Sequence, residues 1–186
     1  MIDGHLQLAV FHLNDLCVVV QEGMDNYLAT AALEIQPGTE ATFTWLRRRG
    51  VRICLLSDYG KRQTQLLLRR LCWTVAEDGT VQQLITHQQR RANPVALAQE
   101  HAALADPRLS MAVVDTPALL RQARAAGVHL NLAVCNGRAA YHQLAVVPHD
   151  GMLDNLRQLP NFVLQHLPDP GTAGHPVCLP RPHYTG

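Results

Sequence analysis

The sequence predicts an α/β fold, a parallel sheet held between two layers of helices in a Rossmann-like arrangement. Three observations carry this. Short apolar runs recur over residues 6–13, 51–56, 111–114 and 128–134. Between them lie stretches of helical periodicity about 10–15 residues long, the alternation of βαβ units. Three of the runs also stop at small polar groups: His12 and Asn14, Ser57, and Asp115. In an open parallel sheet the ligand crevice lies at the carboxyl ends of the strands, so these residues stand where chemistry is expected.

The elements follow in order. Residues 6–13 are a buried strand, and residues 16–20, apolar and β-branched, form a short extended segment or flap. Residues 23–34 have weak helical character, and Pro37-Gly38 breaks the chain. A helix from Glu40 to Arg49 turns Phe43 and Leu46 inward and ends at Gly50, a C-cap signal. The strand 51–56 leads to Ser57-Asp58-Tyr59-Gly60 and a helix over about 61–71. Asp78-Gly79 is a turn. Pro94 opens a helix to about Ala105, being suited to the first turn. The strand 111–114 runs into Asp115-Thr116-Pro117 and a helix closed by Gly127. Residues 128–134 and the short run 145–147 are read as the last two strands. From Pro168 to Gly186 the chain holds five Pro and three Gly, which marks an extended tail. The expected organisation is therefore one domain over 1–167 and a Pro-rich tail over 168–186.

Composition narrows the function. With 186 residues, 47% of them apolar, the chain suits one domain with a sizeable core and is not of the disordered class. A formal net charge of +1 supplies no field for nucleic acid or a membrane surface. The 16 Lys and Arg include one lysine, Lys61. The five cysteines, Cys17, Cys54, Cys72, Cys135 and Cys178, lack CxxC spacing and read as reduced thiols of a cytoplasmic protein. No signal peptide and no membrane span are expected.

The order of His12/Asn14, Ser57, Arg90-Arg91-Ala92-Asn93-Pro94 and Asp115 resembles the haloacid dehalogenase (HAD) superfamily, most closely its phosphonoacetaldehyde-hydrolase-like branch. The best-matching stretches are Gln36-Pro37-Gly38 through Val51 and Val113-Val114-Asp115-Thr116-Pro117 through Gly127, with residues 154–160 similar to the family's closing helix. The resemblance implies a three-layer core with a parallel sheet. It implies a first strand ending in a nucleophilic Asp and, two residues on, an acid-base Asp. Those positions hold His12 and Asn14, and the following Gly-Thr pair is Asp15-Leu16. The family's phosphoryl-binding Ser or Thr matches Ser57, its basic residue matches Arg91 (with Arg90 as alternative), and its leading metal-binding Asp matches Asp115. The second metal-binding acid, four residues on, is Leu119.

The losses fall on the chemistry. Without a carboxylate nucleophile no aspartyl-phosphate forms, and Asn14 neither gives nor takes a proton near neutral pH. Mg²⁺ needs oxygen ligands in a near-octahedral array, and Asp115 is the main surviving carboxylate. The family's helical cap has only residues 18–35 in which to fit, one helix at most. The branch's Schiff-base lysine also has no counterpart there, since Lys61 lies beyond Ser57.

Each residue also has a plainer reading. His12 is a substitute nucleophile, a transition-metal ligand with Asp115, or a hydrogen-bonded partner for an Asp115 that no longer meets a metal. The last predicts direct or one-water contact between the two. Ser57 and Asp115 both fit ordinary helix starts. Arg90-Arg91 fits a solvated pair, and Arg47-Arg48-Arg49 fits the solvated, dipole-matched end of a helix. Asp15, Asp58 and Asp150 are possible replacement acids that their spacing does not single out.

The leading expectation is a catalytically defective HAD-like protein with a binding, scaffolding or regulatory role, needing no cofactor. It would meet a protein partner or a second copy through its uncapped face or its tail. The alternatives are a hydrolase of phosphate esters, with Mg²⁺, built on His12, Asp15, Ser57, Arg91 and Asp115, or a phosphate-ligand sensor keeping Ser57 and Arg91.

Overall fold

The computed structural model describes residues 6–19, 33–89, 93–135 and 141–166. In chain order the elements are β1 (Leu8–His12), β2 (Val18–Val19), β3 (Glu34–Ile35), α1 (Thr39–Arg47), β4 (Arg52–Leu56), α2 (Lys61–Arg70), β5 (Gln83–Ile85), α3 (Pro94–His101), β6 (Ser110–Val114), α4 (Pro117–Ala125), β7 (Leu130–Val134), α5 (Tyr141–Ala145), β8 (Gly151–Leu153) and α6 (Leu159–His166).

β1 is buried along its whole length and pairs in parallel with β4 on one side and β6 on the other. An uninterrupted apolar run is what a strand covered on both faces requires. The full sheet is six parallel strands in the order β5-β4-β1-β6-β7-β8. The chain builds outward from β1 through β4 to β5, then returns to β6 and builds the other way. The switch point therefore lies between β1 and β6. Register sets the height of each strand end: His12 stands opposite Leu56, and Phe11 opposite Val113. Ser57 and Asp115 thus leave the sheet at nearly the level of His12.

Alternate side chains of β1 serve the two layers. Ala9 and Phe11 pack with Phe43 and Leu46 of α1, Leu67 and Leu68 of α2, and Leu159 and Val163 of α6. Leu8 and Val10 pack with Val95 and Ala98 of α3, Leu120 and Ala123 of α4, and Leu144 of α5. Phe43 is the aromatic centre of the first layer, its ring 5.1 Å from Phe11 and 5.4 Å from Trp73.

The chain leaves β1 through a tight turn. Asp15 has φ 63, a left-handed conformation that Asp tolerates better than most residues. Thr39, at the start of α1, donates to the carbonyls of Gln36 and Cys17, which ties the Pro-Gly helix to that turn. Gly38 has φ 91, and a Cβ there would meet Arg157 Cγ at 2.6 Å and the Arg157 backbone N at 2.7 Å.

Several expectations are corrected. Residues 145–147 are not a strand: Ala145 ends α5, and Val146 is exposed while Leu144 and Val147 are buried. The spacing of those two is helical, and the run is too short to specify a strand. The last strand is instead β8, whose Gly151 lies so close to the Phe162 ring that a Cβ would sit 2.3 Å from it. The sheet also gains β5, a three-residue edge strand, too short to be read from its pattern, of which only Ile85 is fully buried. α3 ends at His101 rather than Ala105, Ala103 having turned to φ 49. The expected flap is real in its ends, since β2 pairs antiparallel with β3, so Glu34, the last residue of the stretch read as weakly helical, is strand. Residues 20–32 and the tail 168–186 lie outside the described residues. No helix among the described residues is long and apolar enough to cross a membrane.

Two substitutions check this architecture by urea denaturation. Phe43→Ala is expected to cost about 3–5 kcal/mol, since three rings lose their common contact. Gly38→Ala is expected to cost about 1–3 kcal/mol through φ and the Arg157 clash.

Candidate functional site

The sheet brings three acid-base residues together at its carboxyl end. His12, the last residue of β1, is 2% exposed, and Asp115, just past β6, is fully buried. His12 Nδ1 lies 2.5 Å from Asp115 Oδ1, and His12 Nε2 lies 3.1 Å from Asp58 Oδ2. The contact expected between His12 and Asp115 is thus direct. Carboxylates only accept, so a ring hydrogen-bonded to two of them donates from both nitrogens and is an imidazolium.

The titration of His12 agrees. Burial opposes the charge, but the hydrogen bonds to Asp115 and Asp58, with their Coulombic attraction, outweigh it and raise the pKa from 6.5 to about 9. Asp58, its side chain 31% exposed, is the solvent side of the bridge. Asp115 is its buried side.

Asn14 does not approach as an acid would. It orients Asp58: the Asp58 backbone N–H donates to Asn14 Oδ1 at 2.9 Å. Asn14 Nδ2 and Asp115 Oδ2 are buried without a hydrogen-bond partner. Thr116, not Asp115, caps α4 by accepting from the Leu119 N–H, which leaves the Asp115 side chain free for His12.

Ser57 does not cap α2. Gly60 stands at the N-cap of α2, while the Ser57 hydroxyl is buried, lies 2.8 Å from Thr64 Oγ1 and accepts from the Tyr59 N–H. Thr64 in turn donates to the Gly60 carbonyl. The two hydroxyls thus form one buried pair. Leu119 is 4% exposed and packs in the apolar layer beneath α4. Asp150 is at the other end of the sheet, accepting from the Asn131 N–H and lying 3.7 Å from Arg124. Asp15 holds the turn after β1. Arg90 and Arg91 lie outside the described residues. Burial, and then the Asp115 charge, push the Cys17 thiol well up, so Cys17 supplies no thiolate.

The residues present do not fit a hard divalent cation. Asp115 Oδ1 faces His12, Asn14 Oδ1 is taken by Asp58, and the imidazolium would stand against the ion. Mg²⁺ needs about six oxygens at 2.0–2.1 Å. Among the described residues no group of three or more His, Cys, Asp or Glu is arranged to hold a metal.

Of the three possible replacement acids that spacing did not single out, Asp58 is the one that reaches His12. Its place directly after Ser57, at a strand end, was the available signal. Only the register of β1 against β4 turns that signal into a contact.

Comparison with known proteins places this geometry in a fold family. No family model and no curated protein matches the chain. Solved structures do. A haloacid dehalogenase-like hydrolase from Bacteroides fragilis aligns over 82% of this chain and 99% of its own at 16% identity, with TM-score 0.65. CbbY from Rhodobacter sphaeroides, solved with phosphate, aligns over 83% and 96% at 13% identity, with TM-score 0.69. The 3-deoxy-D-manno-octulosonate 8-phosphate phosphatase from Moraxella catarrhalis, solved with magnesium, phosphate and KDO, aligns over 88% and 88% at 11% identity, with TM-score 0.60. The fold is that of the HAD-type hydrolases and phosphatases: a Rossmann-like α/β core with a six-stranded parallel sheet and no large cap among the described residues.

The raised His12 pKa sets a pH dependence. Unfolded histidine titrates near 6.5 and the folded group near 9, so the stabilisation is full below about 6.5 and is lost as pH rises through 9. Stability by chemical denaturation should fall across that window, by of order 3 kcal/mol at most. His12→Asn should abolish the slope and cost about 3–5 kcal/mol, since it leaves the buried Asp115 carboxylate without its cation.

Proposed function

We propose that this chain is a catalytically defective relative of the phosphatases whose fold it shares, retained for binding, scaffolding or regulation. One observation carries the reading: the imidazolium of His12 bridges Asp115 and Asp58 where the family would hold its nucleophile and metal. A bridging imidazolium offers no lone pair for attack, and it supplies as a fixed charge what a metal would supply as an exchangeable one. Neither Asn14 nor the buried hydroxyl of Ser57 replaces what is lost. A protease that loses its nucleophile loses about 10⁶ in kcat, and here the acid and the metal shell are altered as well.

Within the family, the order of the motifs supports the phosphonoacetaldehyde-hydrolase-like branch, but not that branch's chemistry. Lys61 sits exposed at the start of α2, where it lines a surface cleft with Gln65, Thr86 and His101 rather than facing His12. The partner on this reading is a protein or a second copy of the chain, received on the carboxyl-end face or by residues 168–186. The domain division at 167/168 belongs to the same proposal.

Magnesium separates the readings. The wild type should show no Mg²⁺-dependent hydrolysis of an aryl phosphate, and its melting temperature should not respond to Mg²⁺. The pair His12→Asp and Asn14→Asp should melt lower without Mg²⁺, because four carboxylates then converge, Asp58 and Asp115 included, and should recover when Mg²⁺ is added. Leu119 is left alone, since an acid there would be buried among apolar side chains. Mg²⁺-dependent turnover by the wild type that survives repurification would overturn the proposal in favour of a phosphate-ester hydrolase.

A further inference from the structure

The amino end of the sheet carries a second charged feature, unconnected with His12. α1 ends there, β4 begins there, and the turn around residues 76–82 closes a cleft of about 450 Å³. Its walls include Thr44, Arg47, Arg48, Arg52, Glu77 and Gln82. The four residue steps of β4 from Arg52 to Leu56 put it roughly 13 Å along the strand from the level of His12.

The walls are held in place. Gln82 accepts from the Ile53 N–H through Oε1 and donates to the Gly79 carbonyl through Nε2. Arg47 donates to the Asp78 carbonyl at 3.2 Å. Arg48 and Arg52 have no carboxylate at ion-pair distance among the described residues. Arg49 is diverted elsewhere, over the Trp45 ring at 4.1 Å.

A positive last turn suits the dipole of α1, and that accounts for Arg47. It does not account for Arg52, which comes from a strand, is only partly exposed, and faces the same cleft with no carboxylate, Glu77 included, at ion-pair distance among the described residues. Guanidinium forks match phosphoryl oxygens in pairs. A cleft of this size falls within the range of small-molecule sites, about 300–1,000 Å³. One monoanion would leave forks unmatched, whereas linked phosphoryl groups would engage several. An extended nucleic acid would need a longer basic stripe than this one, which Glu77 and Asp78 border.

We propose that this cleft binds a small polyphosphoryl anion, a molecule presenting two or three linked phosphoryl groups. The proposal does not depend on the reading of the carboxyl-end site.

The test is calorimetric titration of the full chain with inorganic tripolyphosphate at low and at moderate salt. Saturable one-to-one binding that weakens with salt is expected. Arg48→Ala and Arg52→Ala should each weaken it about tenfold or more, and Arg52→Lys should recover part of the loss, since it restores charge without the fork. Arg48 is exposed, so its variant is not at risk of misfolding, and circular dichroism checks both. Absence of saturable binding overturns the proposal. So does binding that Arg48→Ala and Arg52→Ala leave intact, which would place the anion elsewhere on the chain. Tighter binding of a single-stranded oligonucleotide through the same arginines overturns it too, in favour of an extended polyanion.

Discussion

A charged imidazolium sits at the end of the central strand, almost wholly out of water, and the arrangement around it follows from that charge. An ion in such a place is tolerable only when it is paired and hydrogen-bonded on every polar edge. His12 meets this requirement with two carboxylates from two different strand ends. Asp115 arrives on β6 and Asp58 on the loop after β4, so the ring is a tie across three adjacent strands at the switch point of the sheet. Asn14 completes the tie by receiving the Asp58 backbone N–H. Thr116 allows it by taking over the capping of α4, which would otherwise compete for Asp115.

The fold explains why those groups meet at all. Parallel strands with short exits place successive loop residues on one edge, and the register of β1 against β4 and β6 brings their exits level. On this edge of the sheet the charge that holds the strand ends together is a cation belonging to the polypeptide itself. Such a centre is fixed in composition and changes only with pH. Among the described residues Asn14 Nδ2 and Asp115 Oδ2 are buried without a hydrogen-bond partner, so the tie leaves two polar atoms unmatched.

The legibility of the site followed the same division. That His12 and Asp115 belong together could be read from two strand ends and from the need of a buried carboxylate for a partner. The plainer reading of Ser57, a helix cap, failed because Gly60 occupies that position, and its hydroxyl turned to Thr64 one helical turn into α2. Asp58 was visible as a residue but not as a participant. Adjacent positions after a strand diverge, and which one turns toward the crevice depends on backbone angles in the exit loop.

The sequence by itself determined the α/β class, the central place of β1 and most of the alternating elements, because these rest on local signals. Continuous apolar runs demand a strand covered on both faces, and Pro94, Gly38, Gly50 and Gly127 punctuate the chain through their own dihedral preferences. Tertiary structure alone decided the rest. The edge strand β5 is only three residues long, too short to announce itself, and is fixed by the hydrogen bonds β4 offers and by the burial of Ile85. Residues 145–147 became the end of a helix because Leu144 and Val147 share one buried layer, leaving β8 to complete the sheet. The bridge from Asp58 through His12 to Asp115 spans 103 residues of chain. No local rule joins those three side chains; the parallel register does, by setting their strand ends side by side.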